Sequence, residues 1–208
     1  MAFDGITIAA MVSELNKNLS GGRINKIAQP ESDELLITGK GANGQKRLLL
    51  SASASLPLIY FTGKNRISPL TAPNFCMLLR KHIGSARITA IRQPGLERVV
   101  EFELEHLNEL GDVCHKVLIM ELMGKHSNII FCDDNNMILD SIKHVSCNVS
   151  SVREVLPGRP YFIPHTQDKL DPLTISREDF MEKVCGRSNA VSKALYQTLT
   201  GFLSLIHI

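Results

Sequence analysis

The sequence predicts an α+β fold made of two antiparallel β-meanders, each preceded by a helix. Apolar residues recur at helical spacing at the start of the chain and again near residue 75. Short runs rich in β-branched residues, separated by glycine and asparagine turns, follow each helical pattern. A proline-rich stretch and further helical patterns then close the chain. We therefore expect helix, meander, helix, meander and the start of a helical segment.

The first helix is predicted over residues 5 to 19. Asp4 stands at the N-cap position, and apolar residues recur at helical spacing from Ile8 to Leu19. A double glycine at 21 and 22 ends the helix. Strands of the first meander are then expected at residues 23 to 28, 34 to 38, 47 to 51 and 57 to 62, with a turn over 39 to 44.

The second helix is predicted to have Pro73 in its first turn and to stop at Gly84. Its apolar face includes Phe75 and Leu79, whereas the cations beside them fall mostly off that face. Strands of the second meander are then expected at residues 86 to 92, 99 to 106, 115 to 122, 127 to 132 and 137 to 143.

The periodic patterns of helices and strands end after residue 150, because repeated prolines up to Pro172 exclude a regular helix or a central strand. We expect an ordered wrap or a linker here. Ser176 and Asp179 form a capping box for a short helix to Cys185, and residues 189 to 199 start another helix. We therefore predict one domain over 1 to 173 and, over 174 to 208, the truncated start of a helical domain. Residues 203 to 208 end abruptly on an apolar run and are not expected to be native.

Composition narrows the class of protein. No apolar stretch reaches the roughly 20 residues of a membrane span, and the first residues lack the features of a signal peptide, so we expect a cytoplasmic protein. The five cysteines are odd in number and widely spaced, with no CxxC pair and no histidine at ligand spacing. We expect buried free thiols, no metal site and no cofactor.

The charges are distributed unevenly. Residues 1 to 100 carry 13 Lys or Arg against 6 Asp or Glu, whereas residues 101 to 208 carry 10 against 15. The basic half is therefore the candidate face for a polyanion. The alternative is a solvated surface whose charges are merely uneven along the sequence.

Several motifs, in order, resemble the NFACT-N domain of the RqcH, NEMF and FbpA family. The opening Phe3-Asp4-Gly5 and the run Gly21-Gly22-Arg23-Ile24-Asn25-Lys26 look like the start of that domain. The similarity continues through residues 48 to 52, 75 to 82, 123 to 130, 140 to 145, 156 to 161 and 167 to 172. It covers residues 1 to about 173.

The resemblance implies a ribosome-associated quality control factor without catalytic activity of its own. Members of the family bind the large ribosomal subunit carrying a stalled peptidyl-tRNA. They recruit tRNA, in bacteria mainly alanyl-tRNA, for untemplated tailing of the nascent chain. Some members carry the name fibronectin-binding protein, so a fibronectin-binding surface adhesin is the alternative. The fold is expected to resemble the N-terminal domain of formamidopyrimidine-DNA glycosylases.

The pair Glu97-Arg98 is the first candidate contact for tRNA. It follows Pro94-Gly95 at the entry to a strand, where a guanidinium can fork onto phosphate or stack on an unpaired base. The family pattern is Asp-Arg and is tied to tRNA engagement, and this chain departs from it with Glu97. A surface ion pair beside a turn is the alternative interpretation.

Other candidate tRNA contacts come from three clusters. Arg23 and Lys26 follow the double glycine, which also serves as an ordinary helix stop. Each cluster alone is typical of solvated surface, but together they are expected to line one groove. Asn128 can instead satisfy a neighbouring backbone group. The remaining candidates are Arg80 and Lys81 on the second helix, and Lys125, His126 and Asn128 at the start of a strand.

An enzyme would need a nucleophile, an acid or a metal site. The sequence contains no GxSxG, HExxH or P-loop motif, and its seven histidines are scattered. Glycosylases of the resembling fold use an N-terminal Pro followed by Glu, and Ala2 and Phe3 stand there instead. We expect binding and positioning of RNA, not catalysis.

Overall fold

A computed structural model describes residues 3–164 and 168–203. These residues form four α-helices and nine strands, and the element types occur in the predicted order. The helices are α1 (Gly5–Leu19), α2 (Asn74–Ile83), α3 (Arg177–Phe180), which continues into a wide helical turn at Met181–Cys185, and α4 (Val191–Thr198). The strands are β1 (Arg23–Ala28), β2 (Glu34–Gly41), β3 (Gly44–Ser51), β4 (Leu58–Phe61), β5 (Arg87–Arg92), β6 (Val99–Leu107), β7 (Val113–Glu121), β8 (Asn128–Asp133) and β9 (Ile138–Ser141).

The two predicted meanders, β1 to β4 and β5 to β9, share one antiparallel sheet. Its strand order is β4-β3-β2-β1-β5-β6-β7-β8-β9. The join is short, with Arg23 of β1 opposite Arg87 of β5. Neighbouring backbone hydrogen bonds extend this join; for example, the Ile24 amide donates to the Ala86 carbonyl at 2.9 Å. The α+β class is confirmed, and the merging of both meanders into one sheet was not predicted.

Helices α1 and α2 pack on one face of this sheet. Asp4 caps α1, because its carboxylate accepts a hydrogen bond from the Thr7 amide at 2.7 Å. Ile8 and Leu79 are fully buried against apolar residues of nearly every strand. The sheet curls around this core, since the Lys143 ammonium after β9 donates to the Ala52 carbonyl after β3. The helices therefore fill the concave side of the sheet.

The proline-rich segment wraps over the face of β6 to β9 that lies opposite the helices. An ordered wrap was one of the two predicted alternatives. Val155 packs there with Ile119 and Ile130 in a second core. Arg153 donates to the fully buried Glu121 carboxylate at 2.6 and 2.5 Å. The Tyr161 hydroxyl also donates to Glu121, at 3.1 Å, and burial with this carboxylate raises the pKa of Tyr161. The segment is therefore fixed to the sheet by a buried ion pair.

Three details differ from prediction. Pro73 precedes α2 as its cap instead of lying in the first turn. Gly39 belongs to β2, and a two-residue loop joins β2 to β3, with Gly44 at φ +86°. The cysteines are free as expected, but only Cys76 and Cys132 are buried. Burial raises the pKa of the Cys132 thiol to about 12.

The predicted capping box of the helical segment is confirmed, because the Ser176 hydroxyl accepts from the Asp179 amide at 3.0 Å. Residues 170 and 199 form a short parallel bridge, and the Gly5 amide donates to the Gly201 carbonyl at 2.8 Å. The segment thus packs back onto the start of α1. The expectations for Ala2 and for residues 204 to 208 lie outside the described residues.

Candidate nucleic-acid interface

A tight loop between β5 and β6 carries the Glu97-Arg98 pair. The Glu97 amide donates to the Pro94 carbonyl at 3.0 Å, which closes the turn. The Gln93 side-chain amide donates to the carbonyls of Gly5 and Glu97, each at 2.8 Å. Gly95 has φ +52°, a left-handed conformation that glycine adopts without strain. The loop is therefore held rigidly against the start of α1.

The Arg98 side chain is half-buried in a cleft of about 640 Å³. Burial lowers the pKa of its guanidinium, and the negative charge of Glu97 opposes this shift. Among the described residues, no carboxylate lies within 4 Å of the guanidinium, so Glu97 and Arg98 do not form the ion pair considered from sequence. The guanidinium is thus partly desolvated and open to an anionic or aromatic partner.

We name this cavity the Arg98 cleft; it is lined by residues 94 to 98, 162 to 164, 169, 171 and 200 to 203. Phe162 is 47% exposed and brings an aromatic side chain to the cleft. The Arg153 guanidinium fixes its backbone by donating to the Phe162 carbonyl at 2.6 Å. Burial and then the charge of Arg98 lower the pKa of Lys169, and Asp171 adds a carboxylate. The cleft offers a cation, an aromatic surface and hydrogen-bond acceptors.

Sequence reasoning missed Phe162 and Lys169 as site residues. Both lie in the region where prolines remove regular secondary structure, so no periodicity shows which way a side chain faces. An aromatic residue beside Tyr161 was the available signal. This aromatic residue can be recognised as part of the site only in the folded chain, where the buried Glu121-Arg153 pair holds the wrap next to Arg98.

Lys125 and His126 lie at the same end of the sheet as Arg98. The Leu122 amide donates to the Arg98 carbonyl at 2.9 Å, and the short helical turn Gly124–His126 follows directly. Both side chains are exposed.

Asn128 requires a correction, since it is 2% exposed. Its amide donates to the Lys143 carbonyl at 2.8 Å, and its side-chain oxygen accepts from the amides of Ile129 and Lys143 at 2.9 and 3.1 Å. The alternative left open in the sequence therefore holds: Asn128 joins β8 to the end of β9. It is not part of the accessible surface.

The other four candidates lie far from Arg98. Arg23 pairs with Arg87, which pairs with Glu105, seven residues along β6 from Arg98. At about 3.3 Å per residue, this separation is roughly 23 Å. Lys26 lies farther along β1, and Arg80 reaches the same strand by donating to the Ile27 carbonyl at 2.8 Å. Lys81 lies beside the β6–β7 hairpin. The expected single groove is therefore wrong, because these four candidates lie away from the Arg98 end of the sheet.

The described residues show neither a metal-binding cluster nor a membrane-spanning helix. Within 3–164 and 168–203, no group of three or more His, Cys, Asp or Glu is arranged to hold a metal ion. In the same ranges, no helix has both the length and the apolar character needed to cross a membrane.

Comparison with known proteins gives the family. The model for the NFACT N-terminal and middle domains matches residues 4–207. The chain belongs to the NFACT family. This match runs across the domain boundary that we predict at residue 173, and that boundary stays a prediction.

Curated relatives of this NFACT chain carry names from ribosome quality control. It is 40% identical to the Rqc2 homolog RqcH of Bacillus subtilis over 204 residues, covering 97% of this chain and 35% of the relative. It is 26% identical over 175 residues to the human ribosome quality control complex subunit NEMF, covering 84% of this chain and 15% of the relative. The chain spans about a third of the length of the bacterial relatives.

Solved structures of NFACT relatives share the fold. The N-terminal part of the fibronectin/fibrinogen-binding protein from Streptococcus suis superposes with a TM-score of 0.90 at 37% identity, covering 98% of this chain and 76% of that one. The N-terminal domain of fibronectin-binding protein PavA from Streptococcus pneumoniae gives 0.88 at 37% identity, covering 96% and 75%. The α+β architecture is therefore that of experimentally determined NFACT domains. The expected similarity to glycosylases stays a prediction.

Proposed function

We propose that this chain is the RNA-binding module of a ribosome quality control factor and that the Arg98 cleft holds an unpaired region of a tRNA. One observation carries the proposal. Arg98 is half-buried, has no carboxylate within 4 Å among the described residues, and shares its cleft with an exposed Phe162 ring. A guanidinium and an aromatic face are the groups on which unpaired bases stack.

The chemistry of the cleft supports a role in selecting the ligand. A guanidinium forks onto phosphate, and the carboxylates of Glu97 and Asp171 can accept hydrogen bonds from the exocyclic amine of a base. In this proposal, phosphate contacts orient the tRNA and Glu97 contributes selectivity. Glu97 is one methylene longer than the acid typical of the family, so its carboxylate stands further from the backbone.

The names of the relatives support the cellular setting of the proposal. The full protein would bind a large ribosomal subunit carrying a stalled peptidyl-tRNA. It would recruit alanyl-tRNA so that the ribosome adds untemplated residues to the nascent chain. The chain's own work is then binding and positioning, because peptide transfer belongs to the ribosome. A damaged-base DNA duplex incubated with the chain should remain uncut, and turnover would revive an enzymatic function.

The test is binding of labelled total tRNA to the purified chain across a salt series. Removing an arginine that forks onto a nucleic acid costs about 1–3 kcal/mol, so Arg98→Ala should weaken binding roughly 5- to 150-fold. Arg98→Lys should keep only part of the affinity that Arg98→Ala loses, because lysine lacks the planar guanidinium that forks onto phosphate. Glu97→Ala should bind a broader range of tRNA species.

Arg92→Ala is the matched control for Arg98→Ala. Arg92 lies on the same hairpin but is exposed and pairs with Glu103 at 2.8 Å, so its loss should change binding little. Equal binding by wild type, Arg98→Ala and Arg92→Ala, or no binding by any of them, would mean that the Arg98 cleft does not bind tRNA.

A second candidate function rests on the names of the solved relatives. Two structures at 37% identity are of proteins named for binding fibronectin. A surface adhesin predicts binding to immobilised fibronectin that persists at high salt and is unchanged in Arg98→Ala. Salt-resistant fibronectin binding together with no tRNA binding would favour this candidate over the RNA-binding module.

A further inference from the structure

Three cations form a continuous row across the sheet, far from the Arg98 cleft. Lys40 of β2 lies directly opposite Arg23 of β1, and Arg23 lies directly opposite Arg87 of β5. All three are exposed, whereas the neighbouring Ile24 and Ile88 point into the helix-covered core. The row therefore lies on the face of the sheet that α1 and α2 do not cover. With strands about 4.8 Å apart, it spans roughly 10 Å.

Two more cations extend the row into a patch. Thr38 lies between Lys26 of β1 and Arg47 of β3, one register step away on the same face. Lys26 and Arg47 line a cleft of about 340 Å³ under the loop at residues 65 to 68. We call Arg23, Lys26, Lys40, Arg47 and Arg87 the basic sheet face.

The charges of this face are poorly compensated within the chain. Like charges directly opposite each other on neighbouring strands destabilise a sheet. β1, β3 and β5 contain no acidic residue, and the single one on β2, Glu34, pairs with Arg66 at 3.4 Å. Among the described residues, Arg87 forms no salt bridge with its cross-strand partner Glu105, whereas Arg92 on the same strand is paired. These uncompensated positive charges oppose folding and favour the binding of an external polyanion.

The surroundings of the cations select the kind of polyanion. β1, β2, β3 and β5 contain no aromatic residue, and Tyr60 of the edge strand β4 lies to one side of the cations, opposite Leu49, so no ring stands within the row for unpaired bases to stack on. These four strands also expose no large apolar side chain of the kind that anchors a protein partner. A flat row of cations fits a regular line of phosphates. We infer that the basic sheet face binds the phosphodiester backbone of double-helical RNA.

This inference rests on the proposed function only in taking RNA as the ligand. It adds a second contact, about 23 Å from Arg98 at 3.3 Å per strand residue, with a different preference. The cleft takes unpaired RNA, and the basic sheet face takes paired RNA by its backbone, without reading sequence.

The test is binding of a blunt RNA duplex, without loops or overhangs, to the purified chain across a salt series. Each lost phosphate contact lowers the slope of log K against log salt by about 1, so Arg23→Gln/Arg87→Gln should lower it by about 2. At moderate salt, we expect the affinity to fall at least roughly tenfold. Both side chains are exposed, and circular dichroism will confirm that the variant is folded.

Arg177→Gln/Lys193→Gln is the matched control, because it makes the same change in charge at exposed positions of the helical segment. It should retain the wild-type slope, and Arg98→Ala should retain duplex binding. Equal weakening by both double variants, absence of duplex binding, or displacement of the duplex by polyglutamate as readily as by unlabelled duplex would overturn the inference. The proposed function would survive each of these outcomes if tRNA binding still depended on Arg98.

Discussion

The Arg98 cleft and the basic sheet face hold their cations in opposite ways at two ends of one sheet. In the cleft, a half-buried guanidinium lies beside an aromatic ring, on a loop fixed by hydrogen bonds. On the basic sheet face, five cations stand on strands that contain no aromatic residue. A buried cation in a shaped cavity can discriminate between ligands, whereas exposed cations supply salt-dependent attraction and orientation.

The two regions also differ in how much long-range packing they need. The basic sheet face requires only strand pairing, because the β1–β5 join and the bulge between Ile24 and Lys26 bring the cations to one side of the sheet. The cleft requires three distant segments to meet: the β5–β6 loop, the proline-rich wrap and the end of the helical segment. Damage to long-range packing should therefore abolish the cleft and spare the face.

The largest effect should come from Arg153→Ala. It leaves the fully buried Glu121 without its partner, and breaking such a pair costs about 3–5 kcal/mol. The same change releases the Phe162 carbonyl. We expect a lower free energy of unfolding in urea titrations, together with weaker tRNA binding and retained duplex binding under conditions where the variant is folded.

Arg159→Ala is the control for this variant. It breaks the exposed Arg159-Glu154 pair at 2.9 Å on the same wrap, and it should change the free energy of unfolding by less than about 1 kcal/mol. Similar unfolding curves for Arg153→Ala and wild type would mean that the wrap is not anchored by the buried pair.

The next effect should come from Phe162→Ala. Base–aromatic stacking contributes about 1–3 kcal/mol per base, so affinity for an RNA hairpin with an unpaired loop should fall roughly 5- to 150-fold. Affinity for the blunt duplex should not change. Tyr60→Ala removes an aromatic ring of similar exposure on β4, near the basic sheet face, and should leave hairpin binding intact. A loss of duplex binding in Phe162→Ala would erase the distinction between the two regions.

The contrast also explains what the sequence could predict. Local patterns were sufficient for α1, whose cap and apolar spacing lie within residues 4 to 19, and for β1, which has the predicted bounds. They could not show that the single pairing of Arg23 with Arg87 would join two meanders and separate Arg23 from Arg98. The burial of Asn128 was equally hidden, because its main partner is the backbone of Lys143, fifteen residues away.

A smaller effect is expected from Lys125→Ala. Lys125 is exposed at the Arg98 end of the sheet, so it contributes a single phosphate contact in the proposed complex. Its loss should lower the salt slope of hairpin binding by about 1 and leave the slope for duplex binding unchanged. The salt series separates these outcomes. An equal decrease for both ligands would mean that Lys125 serves either contact without preference.

The smallest effect concerns the protonation of Lys169. Burial, and then the charge of Arg98, lower its pKa, while Glu97 acts in the opposite direction. Because the folded-state pKa lies below the unfolded value of 10.5, the unfolded chain binds more protons between the two values. Stability therefore rises with pH across that interval. Removing a neighbouring positive charge favours the charged ammonium, so Arg98→Ala should raise the pKa of Lys169 in the free chain.

NMR titration of the labelled lysine ammonium groups measures this shift. An RNA hairpin in the cleft adds negative charge and should also raise the pKa of Lys169, so hairpin affinity should decrease as the pH rises through the interval between the free and bound pKa values. A duplex on the basic sheet face, about 23 Å away at 3.3 Å per strand residue, lies beyond the roughly 10 Å over which salt leaves charges coupled. It should leave this pKa unchanged, and a shift of equal size with both ligands would place them at one site.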